Sequence, residues 1–142
     1  GVVFNGRVAE DFKLSSGTWV SVGTLRLKVV SALAPLAQDA VVTGHDRGEV
    51  GVLLFPSPAA ASLPAAELAE RTRAALLALR SEGGGSSQTP ARALWLAEAP
   101  NADAGEITDK GYINQGAVLR RRAAEVDALY AATPEARVIC AR

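Results

Sequence analysis

The stretch Ala40-Val41-Val42-Thr43-Gly44-His45-Asp46-Arg47-Gly48-Glu49-Val50-Gly51-Val52-Leu53-Leu54-Phe55 decides the fold. Ala40 to Thr43 and Val50 to Phe55 are β-branched or apolar runs of strand length. The loop Gly44 to Glu49 joins them, and so short a polar connection predicts an antiparallel pair. Pro56 and Pro58 stop the second run.

Working outward from that pair toward the N-terminus, Phe12 to Leu14 and Trp19 to Val22 are short β-prone pieces. Ser15-Ser16-Gly17 between them is a turn signal and predicts a small hairpin. Thr24 is placed to cap a helix with Leu25, Val29 and Leu33 on one face, and Pro35 ends it. Toward the C-terminus a helix is expected from Pro64 to Arg80, with Leu68, Thr72, Leu76 and Leu79 toward the sheet. Gly83-Gly84-Gly85-Ser86-Ser87 reads as a flexible connector. A strand follows at Ala93 to Ala97, then a polar loop from Pro100 to Tyr112. Asn114 caps a last helix with Leu119, Ala123, Val126 and Tyr130 on its inner face, and Arg137 to Cys140 has the make-up of a short final strand. The order ββ-α-ββ-α-β-α predicts an α+β domain: a small hairpin plus a mixed or antiparallel sheet with about three packed helices. No internal repeat is visible.

The 142 residues suffice for one domain, and a hydrophobic share of 49% fits a folded one. Fifteen basic residues balance fifteen acidic ones. That balance argues against nucleic acid as a partner, and against a polybasic hold on a membrane. The lone Cys140 cannot close an internal disulfide, which points to a reducing cytoplasm. No apolar run reaches the roughly 18 residues of a membrane span. The start carries no basic segment followed by an apolar one, so no secretory signal is expected. The chain opens Gly1-Val2-Val3-Phe4 and contains no Met, and residues 1–8 are expected to be the tail of an upstream segment.

Several residues invite a functional reading. The triple glycine lacks the Lys and Ser/Thr of a phosphate loop, and so reads as a linker. Ser15-Ser16-Gly17-Thr18 continues into Trp19-Val20-Ser21, unlike the ATP phosphate loop of adenylating enzymes. His45 is the only histidine; with one Cys far away in sequence it makes no metal or nucleophile case and reads as a turn residue. Arg120, Arg121 and Arg122 span several directions of a helix and are expected to be a solvated face. Lys110 sits in Gly105-Glu106-Ile107-Thr108-Asp109-Lys110-Gly111, a polar loop bracketed by glycines. Such a lysine is a mobile point charge able to reach a phosphate or carboxylate, although judged alone it reads first as a solvated surface lysine.

Two segments taken together resemble a known family. Gly6-Arg7-Val8-Ala9-Glu10-Asp11-Phe12-Lys13-Leu14-Ser15-Ser16-Gly17-Thr18-Trp19-Val20 resembles the opening of the C-terminal domain of adenylate-forming acyl-CoA ligases, in the AMP-binding superfamily. The general form there is Gly-Arg-x-Asp-Asp-x-Ile-Lys and a turn glycine. Gly105 to Gln115 falls where that family carries a lysine loop, usually Pro-Lys-Thr-x-x-Gly-Lys-Ile. Between them, Gln38 to Glu49 matches a strand–loop–strand ending in Gly-Glu. The wording Gly-Arg-Val-Ala-Glu-Asp-Phe-Lys-Leu, Val-Val-Thr-Gly-His-Asp-Arg and Glu-Ile-Thr-Asp-Lys-Gly-Tyr-Ile-Asn-Gln is similar to feruloyl-CoA synthetases. The likeness covers residues 4 to 131.

The resemblance implies a mobile lid, residues 1–142, that works on an N-terminal adenylation domain. Acid, ATP, Mg²⁺ and coenzyme A would be bound mainly by that other domain. By this resemblance Lys110 enters the site for adenylation, Arg7 contacts the nucleotide ribose, and Lys13 and Gly17 lie near the coenzyme A path after rotation. Ala9 stands at the family's hinge position, usually Asp or Lys, and Glu10 or Asp11 shares that role. Gly17 comes one residue later than in the commoner form, and the lysine loop lacks the usual Pro-Lys-Thr and Gly-Lys-Ile. Two alternatives stay open: a ligase for another aromatic or long-chain acid, and a non-catalytic α+β ligand-binding or regulatory module.

Overall fold

The computed structural model of the chain describes residues 11–82, 89–131 and 138–140. A two-stranded hairpin pairs β1 (Phe12–Lys13) with β2 (Trp19–Val20). A four-stranded sheet has the order β3 (Ala37–Thr43), β4 (Gly51–Pro56), β5 (Arg92–Trp95), β6 (Val138–Cys140). Among the described residues the helices are α1 (Val22–Ala32), α2 (Pro58–Ala61), α3 (Ala65–Ser81), α4 (Gln115–Arg121) and α5 (Ala123–Leu129).

The opening stretch behaves as read. β3 and β4 pair antiparallel with Ala40 opposite Leu54 and Val42 opposite Val52. β5 joins β4 in parallel and β6 joins β5 antiparallel, so the sheet is mixed. The parallel pair requires a crossover, and α3 lies within that connection.

Alternation along the strands divides the core in two. Ala40, Val42, Val52, Leu54, Ala93 and Ile139 face one way and pack with Leu14, Val20, Leu25, Val29, Leu76 and Leu79. Val41, Leu53, Phe55, Leu94 and Val138 face the other way and pack with Ile113, Val118 and Leu129. The hairpin, α1 and α3 therefore cover one face; the loop before α4, with α4 and α5, covers the other. The α+β class stands, and the sheet is sandwiched between the two layers.

Local expectations fail where a distant partner intervenes. α1 starts earlier than a Thr24 cap would allow: its N-cap is Ser21, and Asp11 Oδ1 accepts the Val22 N–H at 2.9 Å. The hairpin thus caps the helix, and Val22 is helical rather than part of β2. Short α2 was not foreseen; Ser57 Oγ accepts the Ala60 N–H, and Pro58 fits the first turn. Along α3, Thr72, Leu76 and Leu79 are buried as expected, while Leu68 is half-buried. Thr72 Oγ1 accepts from Trp95 Nε1 at 2.9 Å, which ties α3 to β5. The predicted last helix is two helices that meet at Arg122, where φ is −108° and ψ 33°. Its inner face is also rotated. Leu119, Val126 and Tyr130 are half-buried against the core as expected, but Ala123 is exposed, and Gln115, Val118, Arg122 and Leu129 sit deeper. The Gly83–Ser87 connector lies outside the described residues.

Candidate functional site

Lys110 sits at the tip of a closed turn. Ile107 and Ile113 form an antiparallel bridge. Thr108 N–H donates to the Tyr112 carbonyl at 2.7 Å, and Gly111 N–H donates to the Thr108 carbonyl at 2.9 Å. Thr108 Oγ1 accepts the Tyr112 N–H at 3.2 Å. Gly111 closes the turn at φ 84°, a left-handed value that costs side-chain-bearing residues energy. Lys110 is exposed, and its ammonium has no hydrogen-bond or ion-pair partner among the described residues.

The base of this turn is unusual for a loop. The Glu106 side chain is fully buried, and that of Arg122 is 7% exposed. Arg122 Nε donates to Glu106 Oε2 and Nη2 donates to Oε1, both at 3.0 Å, a bidentate pair. Arg121 Nη1 reaches the same Oε1 at 3.4 Å, and the Asn101 N–H donates to it at 2.8 Å. Arg122 also donates to the carbonyls of Glu98 and Ala99 and lies 5.4 Å from the Phe55 ring centre. The Arg122 hydrogen bonds hold the Glu106 carboxyl below its ordinary value, against the opposing effect of burial. Glu106 in turn raises Arg122. The far end of the turn is fastened too. Asn114 Oδ1 accepts the Ala117 N–H, and the buried Gln115 Oε1 accepts the Val42 N–H of β3 at 2.9 Å.

The expectation of a solvated arginine face holds for exposed Arg120 and Arg121 and fails for Arg122. Sequence reading missed Glu106, Gln115 and Arg122. A signal existed: Gln115, Val118, Arg122 and Leu129 share one phase of a helical repeat, one residue from the face chosen on apolar content. Two polar residues in that phase are inward groups needing partners.

Lys13 and Gly17 belong to the other turn. Leu14 N–H donates to the Thr18 carbonyl, Gly17 N–H donates to the Leu14 carbonyl, and Gly17 has φ 88°. Lys13 Nζ stands 5.7 Å from the ring centre of Trp19, which is 57% exposed. The hairpin docks on the β3–β4 loop through Ser15 N–H to Arg47 O and Asp46 N–H to Lys13 O. His45 is exposed on that loop, as a turn residue should be. The loop is braced from behind: Arg47 stacks on Tyr130, and the Tyr130 hydroxyl donates to Glu49 O. Arg92 donates to Glu49 at 2.6 Å. Burial raises the Tyr130 phenol.

Lys110 and the Lys13–Gly17 pair are thus rooted in apolar clusters on opposite faces of the sheet. Asp11 is engaged with α1, whereas Arg7, Ala9 and Glu10, with the tail 1–8, lie outside the described residues. Among the described residues no three His, Cys, Asp or Glu side chains converge as metal ligands. No helix among them is long and apolar enough to cross a membrane.

A mixed sheet sandwiched by helices, with two glycine-closed lysine turns on opposite faces, defines a small α+β domain of a recognisable kind. The model of the AMP-binding enzyme C-terminal domain matches residues 13–134, and the chain belongs to that family. Among curated proteins none matches it. Solved structures do. The adenylation domain of the carboxylate reductase from Mycobacterium chelonae superposes with a TM-score of 0.72 at 20% identity, over 87% of this chain and 20% of that one. The A domain of carboxylic acid reductase from Segniliparus rugosus, in complex with AMP and a co-purified carboxylic acid, gives 0.70 at 22%, over 87% and 20%. The A-PCP didomain of carboxylic acid reductase from the same organism, in complex with AMP, gives 0.67 at 22%, over 85% and 17%. At these identities the likeness is one of fold, and the chain spans a fifth or less of the proteins it matches.

Proposed function

We propose that this domain is the mobile lid, residues 1–142, of a cytoplasmic ATP-dependent acid–CoA ligase, with ferulate as the acid. The observation that carries the reading is the pair of lysine turns rooted on opposite faces of one sheet. A lid that rotates between two half-reactions needs two such faces. In the first, a carboxylate oxygen attacks the α-phosphate of ATP and pyrophosphate leaves. Negative charge gathers between the three groups, and Lys110, exposed and without a partner among the described residues, is suited to stabilise it. In the second, the coenzyme A thiol displaces AMP from the acyl-adenylate. There the Lys13–Gly17 turn faces the incoming thiol, and Lys110 is withdrawn. Arg7 would hold the ribose, with Ala9, Glu10 and Asp11 at the hinge. The acid pocket, the ATP phosphate loop and the Mg²⁺ ligands are assigned to the adenylation domain.

The test is made on the enzyme that carries this domain. Lys110→Ala is expected to slow acid-dependent pyrophosphate release by about a hundredfold or more. Thioester formation from supplied acyl-adenylate should stay near wild type. Equal loss in both half-reactions sinks the role given to Lys110. The 142-residue chain alone should form no AMP from acid and ATP. Ferulate is tested against other aromatic and long-chain acids in the same assay.

The match to carboxylate reductase adenylation domains favours a second reading, in which the activated acid passes to reduction rather than to coenzyme A. Aldehyde formation without a coenzyme A requirement separates the two. A non-catalytic regulatory module predicts neither product.

A further inference from the structure

The turn that carries Lys110 is fixed by charge at one end and by an amide at the other. Glu106 and Gln115 are both buried, and each bonds to a different element: Glu106 to the α4–α5 junction through Arg122, Gln115 to strand β3. Between them the chain from Ile107 to Asn114 makes one bridge and a glycine-closed turn. A buried ion pair is a poor choice for stability alone, since apolar residues of the same volume often do as well or better. It does have direction. The guanidinium plane meets both carboxylate oxygens, two further carbonyls of the preceding loop and the Phe55 ring, and the carboxylate takes the Asn101 N–H as well. That set of bonds fixes how the turn leaves the domain as well as how deep it sits. An apolar anchor would fix depth and leave rotation loose. Orientation matters because a misplacement of about 1 Å in a charge-stabilising group can cost a hundredfold in rate.

We propose that Glu106 and Arg122 are positioning residues for Lys110: their buried bidentate pair sets the direction in which the lysine turn projects into the adenylation site. The inference rests on the reading of Lys110 given above. Glu106→Gln keeps the shape and removes the charge. Arg122→Lys keeps the charge but cannot span both oxygens and the two carbonyls. Both are made, beside Lys110→Ala, in the enzyme that carries this domain. For both positioning variants, kcat of adenylation is expected to fall by roughly tenfold to a hundredfold, with KM for acid and ATP within about twofold. Thioester formation from supplied acyl-adenylate should be unchanged. Amide exchange at Gly111 and Asn114 should quicken in both variants, while exchange in β3 and β4 stays slow.

Wild-type adenylation rates in Glu106→Gln and Arg122→Lys, with Lys110→Ala impaired, overturn the positioning role. So do equal losses in both half-reactions accompanied by faster exchange throughout the sheet, which mark a pair that only supports the fold. Should Lys110→Ala itself adenylate normally, the role given to Lys110 falls and the inference with it. That failure is recognised from the Lys110 variant alone.

Discussion

The two glycine-closed turns are built alike and anchored in opposite ways. Each brings a short bridge to a glycine near φ 85° and holds out an exposed lysine. The Lys13 turn is held by grease and backbone: Phe12, Leu14 and Val20 enter the core, and two backbone bonds reach the β3–β4 loop. The Lys110 turn has only Ile113 as a buried apolar anchor of its own; the rest is Glu106, Arg122 and Gln115. An apolar anchor is non-directional and tolerant of substitution, whereas a bidentate pair is directional and fails sharply when one partner goes.

Four measurements on the chain test that contrast, in decreasing order of expected effect. Arg122→Ala leaves the buried Glu106 without its bidentate partner, with only Arg121 at 3.4 Å and the Asn101 N–H remaining, and should cost about 3 kcal/mol in denaturant unfolding. Exchange at Asn101, Gly111 and Asn114 should rise more than at Leu14 and Gly17; a uniform rise removes the distinction. Leu14→Ala should cost about 3 kcal/mol through a cavity under the hairpin. There the pattern should reverse, with the Lys13 turn loosened and the Lys110 turn protected.

Acid should loosen the Lys110 turn. Because the folded Glu106 carboxyl lies below its ordinary 4.5, its contribution is fully present above that value and is lost as pH falls through the lower folded one. Tm should therefore decline on acidification below about pH 4.5, and decline less steeply in Glu106→Gln. Parallel profiles would show that other carboxylates govern the acid limb. Smallest are Gly17→Ala and Gly111→Ala. No described atom stands within 4 Å of the added Cβ in either case, so each should cost about 1 kcal/mol from backbone strain alone. A markedly larger loss at Gly111 would mean that the turn is packed more tightly than its open surroundings imply.

The strands were legible because their information is local. Ala40 to Thr43 and Val50 to Phe55 carry the apolar runs and the short loop that make a pair, and they do pair. The exposure of Lys110 was legible for a similar reason: a lysine beside glycine in a polar loop is expected to be solvated, and it is. The shift in the start of α1 was not, because the group that caps it, Asp11, lies eleven residues away on the hairpin strand. Nor was the break at Arg122. A run of three arginines offers no local hint that the third turns inward, since its partner Glu106 lies sixteen residues earlier in a loop.

By itself the sequence determined the α+β class, the central antiparallel pair, the hairpin and the exposed lysines, all of which follow from side-chain periodicity and turn chemistry within a few residues. Tertiary structure alone decided that helices cover both faces of the sheet, that the last helix is two, and that a buried ion pair underlies the Lys110 turn. Those outcomes depend on which polar groups find partners once water is excluded, and a linear sequence does not state who those partners are.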